Sequence, residues 1–293
     1  MLTDAVVDQY LRRLGVARPG RPTVEGLFAL HRAQVERVPY ETLEIQLGRP
    51  TSIDPADSVR RILAGRGGYC FHLNGAFAAL LTALGYRVTW HVGGVQADPS
   101  VPAGANANHL ALTVECEGRR WFADTGLGDA LHEPLPLDQG TYRQGPFTFG
   151  LAPSAAEPGG WRFSHDPQGS FPGMDFRAEP AGQADFLARH EWLSTSPDSP
   201  FAGPSCVLRR DAEGTDALRG VVLVRTDTTG RTESELLEPT DWFTALADVF
   251  GLTLADLGRA DRDRLWRKVH TAHLSWVAAR SREAAQVTAP ERA

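Results

Sequence analysis

Three side chains far apart in the sequence have the chemistry for nucleophilic attack on a carbonyl: Cys70, His109 and Asp124. Cys70 follows the break Gly65-Arg66-Gly67-Gly68 and opens an apolar stripe of Leu73, Phe77, Leu80, Leu81 and Leu84 that stops at Gly85. The spacing predicts a helix starting near the cysteine, with the sulfur beside unpaired first-turn N–H groups and the positive end of the helix dipole. That placement favours the thiolate, and an imidazolium partner strengthens it.

A histidine must therefore stand beside the sulfur, and nine compete. The pattern around His109 singles it out. Leu110, Leu112, Val114 and Cys116 alternate with His109, Ala111, Thr113 and Glu115, the period of a strand. With Glu117-Gly118 as a two-residue hairpin turn, Cys116 faces Arg119, Ala111 faces Asp124 and His109 faces Gly126. His109 and Asp124 are then diagonal neighbours on one face, roughly 7–8 Å apart at the backbone. A one-residue slip would put them on opposite faces. In this arrangement Asp124 fixes the ring, His109 moves protons and Cys70 attacks. A backbone N–H near Cys70, that of Phe71, is a candidate oxyanion donor.

Other candidates have plainer readings. Cys116 and Cys206 fit core positions, and three widely spaced cysteines without a C-x-x-C indicate neither a disulfide framework nor a zinc site. His270 and His273 share a helical stretch, but no cysteine or carboxylate pattern completes a metal site, so no metal is expected. Gly67 and Gly68 serve the turn, since no phosphate-loop pattern follows them. Arg66 and Glu41 are candidates for an ion pair shaping that turn, or for two solvated charges.

Periodicity gives the elements that must position these residues. Residues 3–14, then Val24, Leu27, Phe28, His31, Val35 and Val38, recur at helical spacing, and Asp54-Pro55 reads as the capped start of another helix. Residues 1–85 therefore read as a helical bundle carrying the cysteine. Residues 86–205 alternate at period two, with Pro/Gly-rich connections, and read as a small antiparallel β-barrel carrying His109 and Asp124. Residues 206–279 combine strand-like Cys206-Val-Leu and Val221–Val224 with a return to helical spacing at Trp242, Leu246, Val249 and Phe250, an α/β unit. Residues 280–293 are polar and lack periodicity, as a flexible tail would.

Composition narrows the partners. The 293 residues are 42% hydrophobic and 23% charged, enough apolar material for sizeable cores. A net charge of −6 lacks the basic field that nucleic acid or an anionic membrane would need. The N-terminus is acidic where a secretory signal is basic, and no apolar run suits a membrane span, so a cytoplasmic chain is expected.

The segment Arg66-Gly-Gly-Tyr-Cys70-Phe-His-Leu-Asn74-Gly resembles the active-cysteine motif of the arylamine N-acetyltransferases. Leu30-His31, with Val38-Pro39-Tyr40-Glu41-Thr42-Leu43, resembles that family's N-terminal motif, and Trp121-Phe-Ala-Asp124-Thr-Gly126-Leu-Gly128 its aspartate motif. The order also matches, and the likeness is strong over residues 1–135. It implies an α+β fold of helical bundle, antiparallel β-barrel and α/β lid, with a Cys70-His109-Asp124 triad. The element order more broadly resembles papain-like and transglutaminase-like enzymes.

The resemblance further implies acetyl transfer from acetyl-coenzyme A to arylamines or arylhydrazines by a ping-pong route through acetyl-cysteine, without a metal. Acceptor-pocket candidates are Tyr40, Leu127 and Phe147, with Phe149 as further apolar surface. Three positions depart from the family's pattern: His72 replaces an acid, Thr42 an Asn and Leu127 an aromatic residue. His72 would perturb the field around the thiolate, and Leu127 would give the pocket a less aromatic wall. The same triad also fits an amide synthase closing a macrolactam from a polyketide thioester, or a cysteine hydrolase. A binding module that kept the scaffold without turnover is a fourth reading.

Overall fold

Local signals place the first helices of the computed structural model, which describes residues 2–287. Helix α1 (Asp4–Leu14) ends at Gly15, whose left-handed backbone returns its N–H to the Arg12 and Leu11 carbonyls. Thr23 caps α2 (Val24–Arg37) by accepting from the Gly26 N–H. A short strand β1 (Tyr40–Glu41) and a single turn α3 (Leu43–Gln46) lead to α4 (Pro55–Leu63). There Asp54 accepts from the Ala56 and Asp57 N–H groups, as the sequence predicts. Helix α5 (Cys70–Ala83) buries residues around its whole circumference, far more than a single stripe. It therefore becomes the central helix, packed against α1, α4 and the first strands of the sheet.

The next strands are β2 (Arg87–Gln96), β3 (His109–Cys116), β4 (Arg119–Phe122), β5 (Leu135–Pro136), β6 (Gly140–Gln144), β7 (Phe147–Pro153), β8 (Trp161–Ser164) and β9 (Gly173–Pro180). Their spatial order, β5-β4-β3-β2-β9-β8-β7-β6, is antiparallel throughout and curls into a nearly closed barrel. Gln144 on β6 reaches across towards β5, accepting from the backbone of His132 and Glu133 and donating to Glu133. Phe122, Phe149, Phe163, Met174 and Phe176 fill the interior, Phe122 stacking on Phe176 at 5.2 Å. On β3 the alternate residues Leu110, Leu112 and Val114 belong instead to the core shared with α5. Glu117 and Gly118, both left-handed at φ 49° and 75°, form the hairpin turn, and Cys116 pairs with Arg119.

Two stretches differ from the periodicity reading. Residues 184–195, read as irregular connection, form α6 (Ala184–Thr195), because Phe186, His190 and Leu193 recur at helical spacing. Phe186 and Leu193 enter the helical core, with Phe186 5.4 Å from the Phe71 ring. The C-terminal strands β10 (Cys206–Arg210), β11 (Gly214–Arg219), β12 (Val222–Asp227) and β13 (Gly230–Glu235) form a wholly antiparallel sheet, which β1 joins at the β10 edge through Tyr40 opposite Leu208. Helices α7 (Pro239–Asp248) and α8 (Arg259–Val287) cover one face of it, Trp242, Leu246 and Leu265 packing with Val207 and Leu218. The tail expected over 280–293 is thus helical as far as Val287, and residues 288–293 lie outside the described residues. Among the described residues no helix is long and apolar enough to cross a membrane.

Candidate active site

Cys70 is the first residue of α5, and the Tyr69 ahead of it is extended and supplies no side-chain cap. The His72 and Leu73 N–H groups return to the Tyr69 carbonyl at 2.9 and 3.1 Å, so the N–H groups of Cys70 and Phe71 precede the helix's own ladder. The thiol lies 3.6 Å from the Asn108 carbonyl oxygen. His109, at the start of β3, lines the same cavity as Cys70. Its Nε2 is 2.7 Å from Asp124 Oδ2, which leaves Nδ1 clear of that carboxylate. Asp124 follows β4 with only Ala123 between, and the strand register predicted from the alternation brings it to His109.

Both carboxylate oxygens of Asp124 have partners. Asp124 Oδ1 accepts from Asn74 Nδ2 at 2.8 Å and from the Gly126 N–H at 2.9 Å. Asn74 also donates to the Leu110 carbonyl at 2.6 Å, and its oxygen accepts from the Thr125 N–H at 2.8 Å. His31 on α2 sets its Nε2 3.2 Å from the Asp124 carbonyl oxygen and its Nδ1 3.0 Å from that of His132. Burial alone would lower the His109 pKa, but the Asp124 carboxylate and a negative Cys70 sulfur outweigh it and push the ring up to about 10. His31 has no such counter-charge in contact, and burial pushes it down to about 4.

The turn before Cys70 is locked from outside. A Cβ on Gly67 would lie 1.9 Å from the Pro39 carbonyl oxygen, and one on Gly68 would lie 2.6 Å from His72 Cβ. Close approach, not left-handed backbone, is why both are glycine. Glu41 pairs first with Arg61, and Arg66 stands 3.7 Å from Glu41 but 2.7 Å from Glu44 and 2.8 Å from Asp256. The expected Arg66 and Glu41 pairing is therefore one edge of a network that runs from buried Glu41 to exposed Asp256, with Arg61 as the nearer cation.

Cys70 and His109 open on a cavity of about 370 Å³. Tyr40, Leu208, Cys206 and Arg219 line it from the five-stranded sheet, and Leu127, Phe171, Leu193 and Phe201 add apolar wall.

Over residues 23–258 the chain matches the family model described as N-acetyltransferase. It belongs to the arylamine N-acetyltransferase family. The arylamine N-acetyltransferase / N-hydroxyarylamine O-acetyltransferase of Salmonella typhimurium is 38% identical over 47% of this chain and 49% of its own length. The proansamycin X synthase of Amycolatopsis mediterranei is 32% identical over 47% of this chain and 55% of its own. The chain thus spans about half the length of these curated relatives. The solved arylamine N-acetyltransferase of Mycobacterium marinum in complex with CoA superimposes at a TM-score of 0.82, with 24% identity over 91% of this chain and 99% of that one.

The chain's departures from the family pattern acquire structural meaning here. His72 brings no charge towards the sulfur: burial, then the Arg61 charge, push its pKa down to about 3, and its Nε2 meets Thr51 Oγ1 at 2.8 Å. Thr42 accepts from the Cys206 N–H, tying the family's N-terminal motif to β10. Leu127 lines the cavity as expected of an acceptor-pocket residue, and the aromatic surface missing there comes from Phe171 and Phe201.

Three expectations need correction. Phe147 does not reach the cavity, and neither does Phe149: the alternation of β7 points both into the barrel, with Arg210 4.8 Å above the Phe147 ring. Cys206 lines the cavity instead of packing in a core. Sequence reading passed over Asn74, although its position four residues after Cys70 puts it on the same helix face. It also passed over Gly126, where a Cβ would stand 2.8 Å from Cys70 Cα, and Arg219, which only the β10–β11 register brings opposite Cys206.

Proposed function

We propose that this chain is an acetyl-CoA-dependent N-acetyltransferase acting on arylamines or arylhydrazines through an acetyl-Cys70 intermediate. The observation that carries this reading is that Cys70 and His109 line one largely apolar cavity while His109 Nε2 stands 2.7 Å from Asp124 Oδ2. Family membership supports acyl transfer, and the CoA complex of the Mycobacterium marinum relative supports the donor.

In this mechanism the Cys70 thiolate attacks the acetyl carbonyl carbon, and the Phe71 N–H stabilises the oxyanion. The carbon–sulfur bond to coenzyme A breaks, and His109 gives its proton to the departing thiolate. An amine then attacks the thioester, neutral His109 takes the amine's proton, and expulsion of Cys70 as thiolate restores the starting pair. Asp124 keeps the ring oriented in both steps, and ping-pong kinetics follow.

A second reading, an amide synthase acting on a larger thioester, is favoured by the likeness to proansamycin X synthase. Intact-protein mass spectrometry after addition of acetyl-CoA tests the choice. One acetyl group, mapping to Cys70 and discharged by an arylamine faster than by water, is the expected result. Absence of any acetyl-Cys70 overturns the N-acetyltransferase reading, and discharge equally fast without amine identifies a hydrolase.

A further inference from the structure

The small polar loop Asn106-Ala107-Asn108, just before His109, continues the pairing of β2 and β3 by side chain instead of main chain. The ladder between the two strands ends at Gly93 opposite His109. By the alternation of an antiparallel pair, Val95 is the next residue of β2 whose backbone faces β3. Ala107, left-handed at φ 64°, turns the main chain away there. The Asn108 amide takes its place: Oδ1 accepts from the Val95 N–H at 2.7 Å, and Nδ2 donates to the Val95 carbonyl at 3.0 Å. The Asn108 N–H closes on Asn106 Oδ1 at 3.0 Å.

This arrangement aims one carbonyl at the sulfur. The N–H and C=O of a trans peptide point opposite ways, so with His109 paired to Gly93 the Asn108 oxygen faces away from β2. It accepts from the Cys70 thiol at 3.6 Å. A carbonyl oxygen accepts from S–H but repels S⁻, so it favours the neutral thiol. The raised His109 imidazole, backed by Asp124, favours the thiolate. The other ionisable groups nearby do not decide between the two. Burial holds the Tyr40 and Tyr69 phenols above their usual range, and it lowers His72 and His190, which pack on the Tyr69 ring. Glu41 pairs with Arg61, and Cys206 and exposed Arg219 lie on the five-stranded sheet.

We propose that Asn108 is a positioning residue for the nucleophile: its side chain pins its own carbonyl on the Cys70 thiol, which opposes His109 and sets the pH at which the thiolate forms. On the acid side of that titration the S–H bond breaks, the proton goes to water and the sulfur keeps the electron pair beside the imidazolium. The consequence for turnover rests on the acetyl-transfer reading, whereas the effect on the sulfur does not.

The experiment measures Cys70 alkylation by iodoacetamide against pH, by peptide mapping, in wild type, Asn108→Ala and Asn106→Ala. Asn108→Ala releases the carbonyl, so the acid-side midpoint should move to lower pH, and alkylation below the wild-type midpoint should rise about threefold or more. Asn106→Ala changes an exposed side chain and loosens only the N–H side of Asn108, so it should move the midpoint the same way by less. A role confined to bracing the fold would lower urea stability and leave the midpoint in place. An unmoved midpoint, or one moved to higher pH, overturns the proposal. If Asn108→Ala does not fold, Asn106→Ala decides by the same outcomes. Rapid mixing with acetyl-CoA separates this inference from the reading of the reaction. A burst of coenzyme A whose acid limb follows the alkylation midpoint supports both, and a shifted midpoint without any burst in wild type keeps the role of Asn108 and removes acetyl transfer.

Discussion

Two cysteines face one cavity from walls built on different principles. Cys70 begins a buried helix, shares the cavity wall with His109, and stands beside a lattice where Asn74, Asp124, Thr125 and Gly126 hydrogen-bond one another. Cys206 sits on a strand, where burial pushes its thiol up despite the Arg219 charge nearby. One wall holds a geometry through its own hydrogen bonds; the other carries Arg219, which is exposed and makes no ion pair among the described residues. In the proposed mechanism reactivity comes from a fixed local charge arrangement, not from access to the cavity, which both sulfurs have.

Removing the favoured sulfur gives the largest expected effect. Cys70→Ser should lower acetyl-transfer turnover by at least about a thousandfold, and iodoacetamide should alkylate Cys70 of wild type at least about a hundredfold faster than Cys206. Peptide mapping after timed labelling measures the second, and equal labelling of the two would erase the distinction between the walls.

The next effect probes saturation itself. Asn74→Ala leaves the Leu110 carbonyl, Asp124 Oδ1 and the Thr125 N–H each short of a partner in a buried site. A loss of about 1–3 kcal/mol in stability is expected. A fall of about tenfold in kcat should accompany it, with acceptor KM little changed and the alkylation pH profile of Cys70 shifted. A stability loss without any kcat change would show that Asn74 braces the fold and not the His109–Asp124 geometry.

Buried histidines sharpen the contrast through pH. His109 is raised in the folded state, so its contribution is full below its ordinary value of 6.5 and is lost as pH rises towards about 10. His31 and His72 are depressed, so theirs is present above 6.5 and is lost as pH falls towards about 4 and about 3. Urea-unfolding free energies should therefore decline on both sides of neutrality. Cys70→Ser should flatten the alkaline limb and His72→Gln the acid limb. Variant curves parallel to wild type on both limbs would remove these histidines from the explanation.

Asp54→Ala, remote from both walls, gives the smallest effect. Losing the cap of α4 should cost about 1 kcal/mol in unfolding free energy and leave acetylation kinetics as they are.

Much of this molecule was legible before any fold was known. The helix start at Cys70, the Asp54 cap and the turn at Glu117-Gly118 are signals carried by adjacent residues, and the alternation of β3 places His109 opposite Leu110 and Leu112. One hairpin register then sufficed to bring Asp124 to His109, because both lie within a few residues of the same turn. The Phe147 assignment failed since apolar alternation says that a face is buried but not against what.

The chain's own order of residues thus singled out Cys70, His109 and Asp124 as the candidate set, each placed by short-range periodicity and capping. Only the tertiary structure decided which helix lies at the centre, that Asn74 completes the Asp124 shell, and that a two-residue strand at Tyr40 joins a sheet formed more than a hundred residues later. These depend on long-range packing and strand pairing, whose partners no local pattern names. The exposed Arg219 belongs to the same class: a sequence shows that an arginine exists, and only the fold shows that it lines the cavity without an ion pair among the described residues.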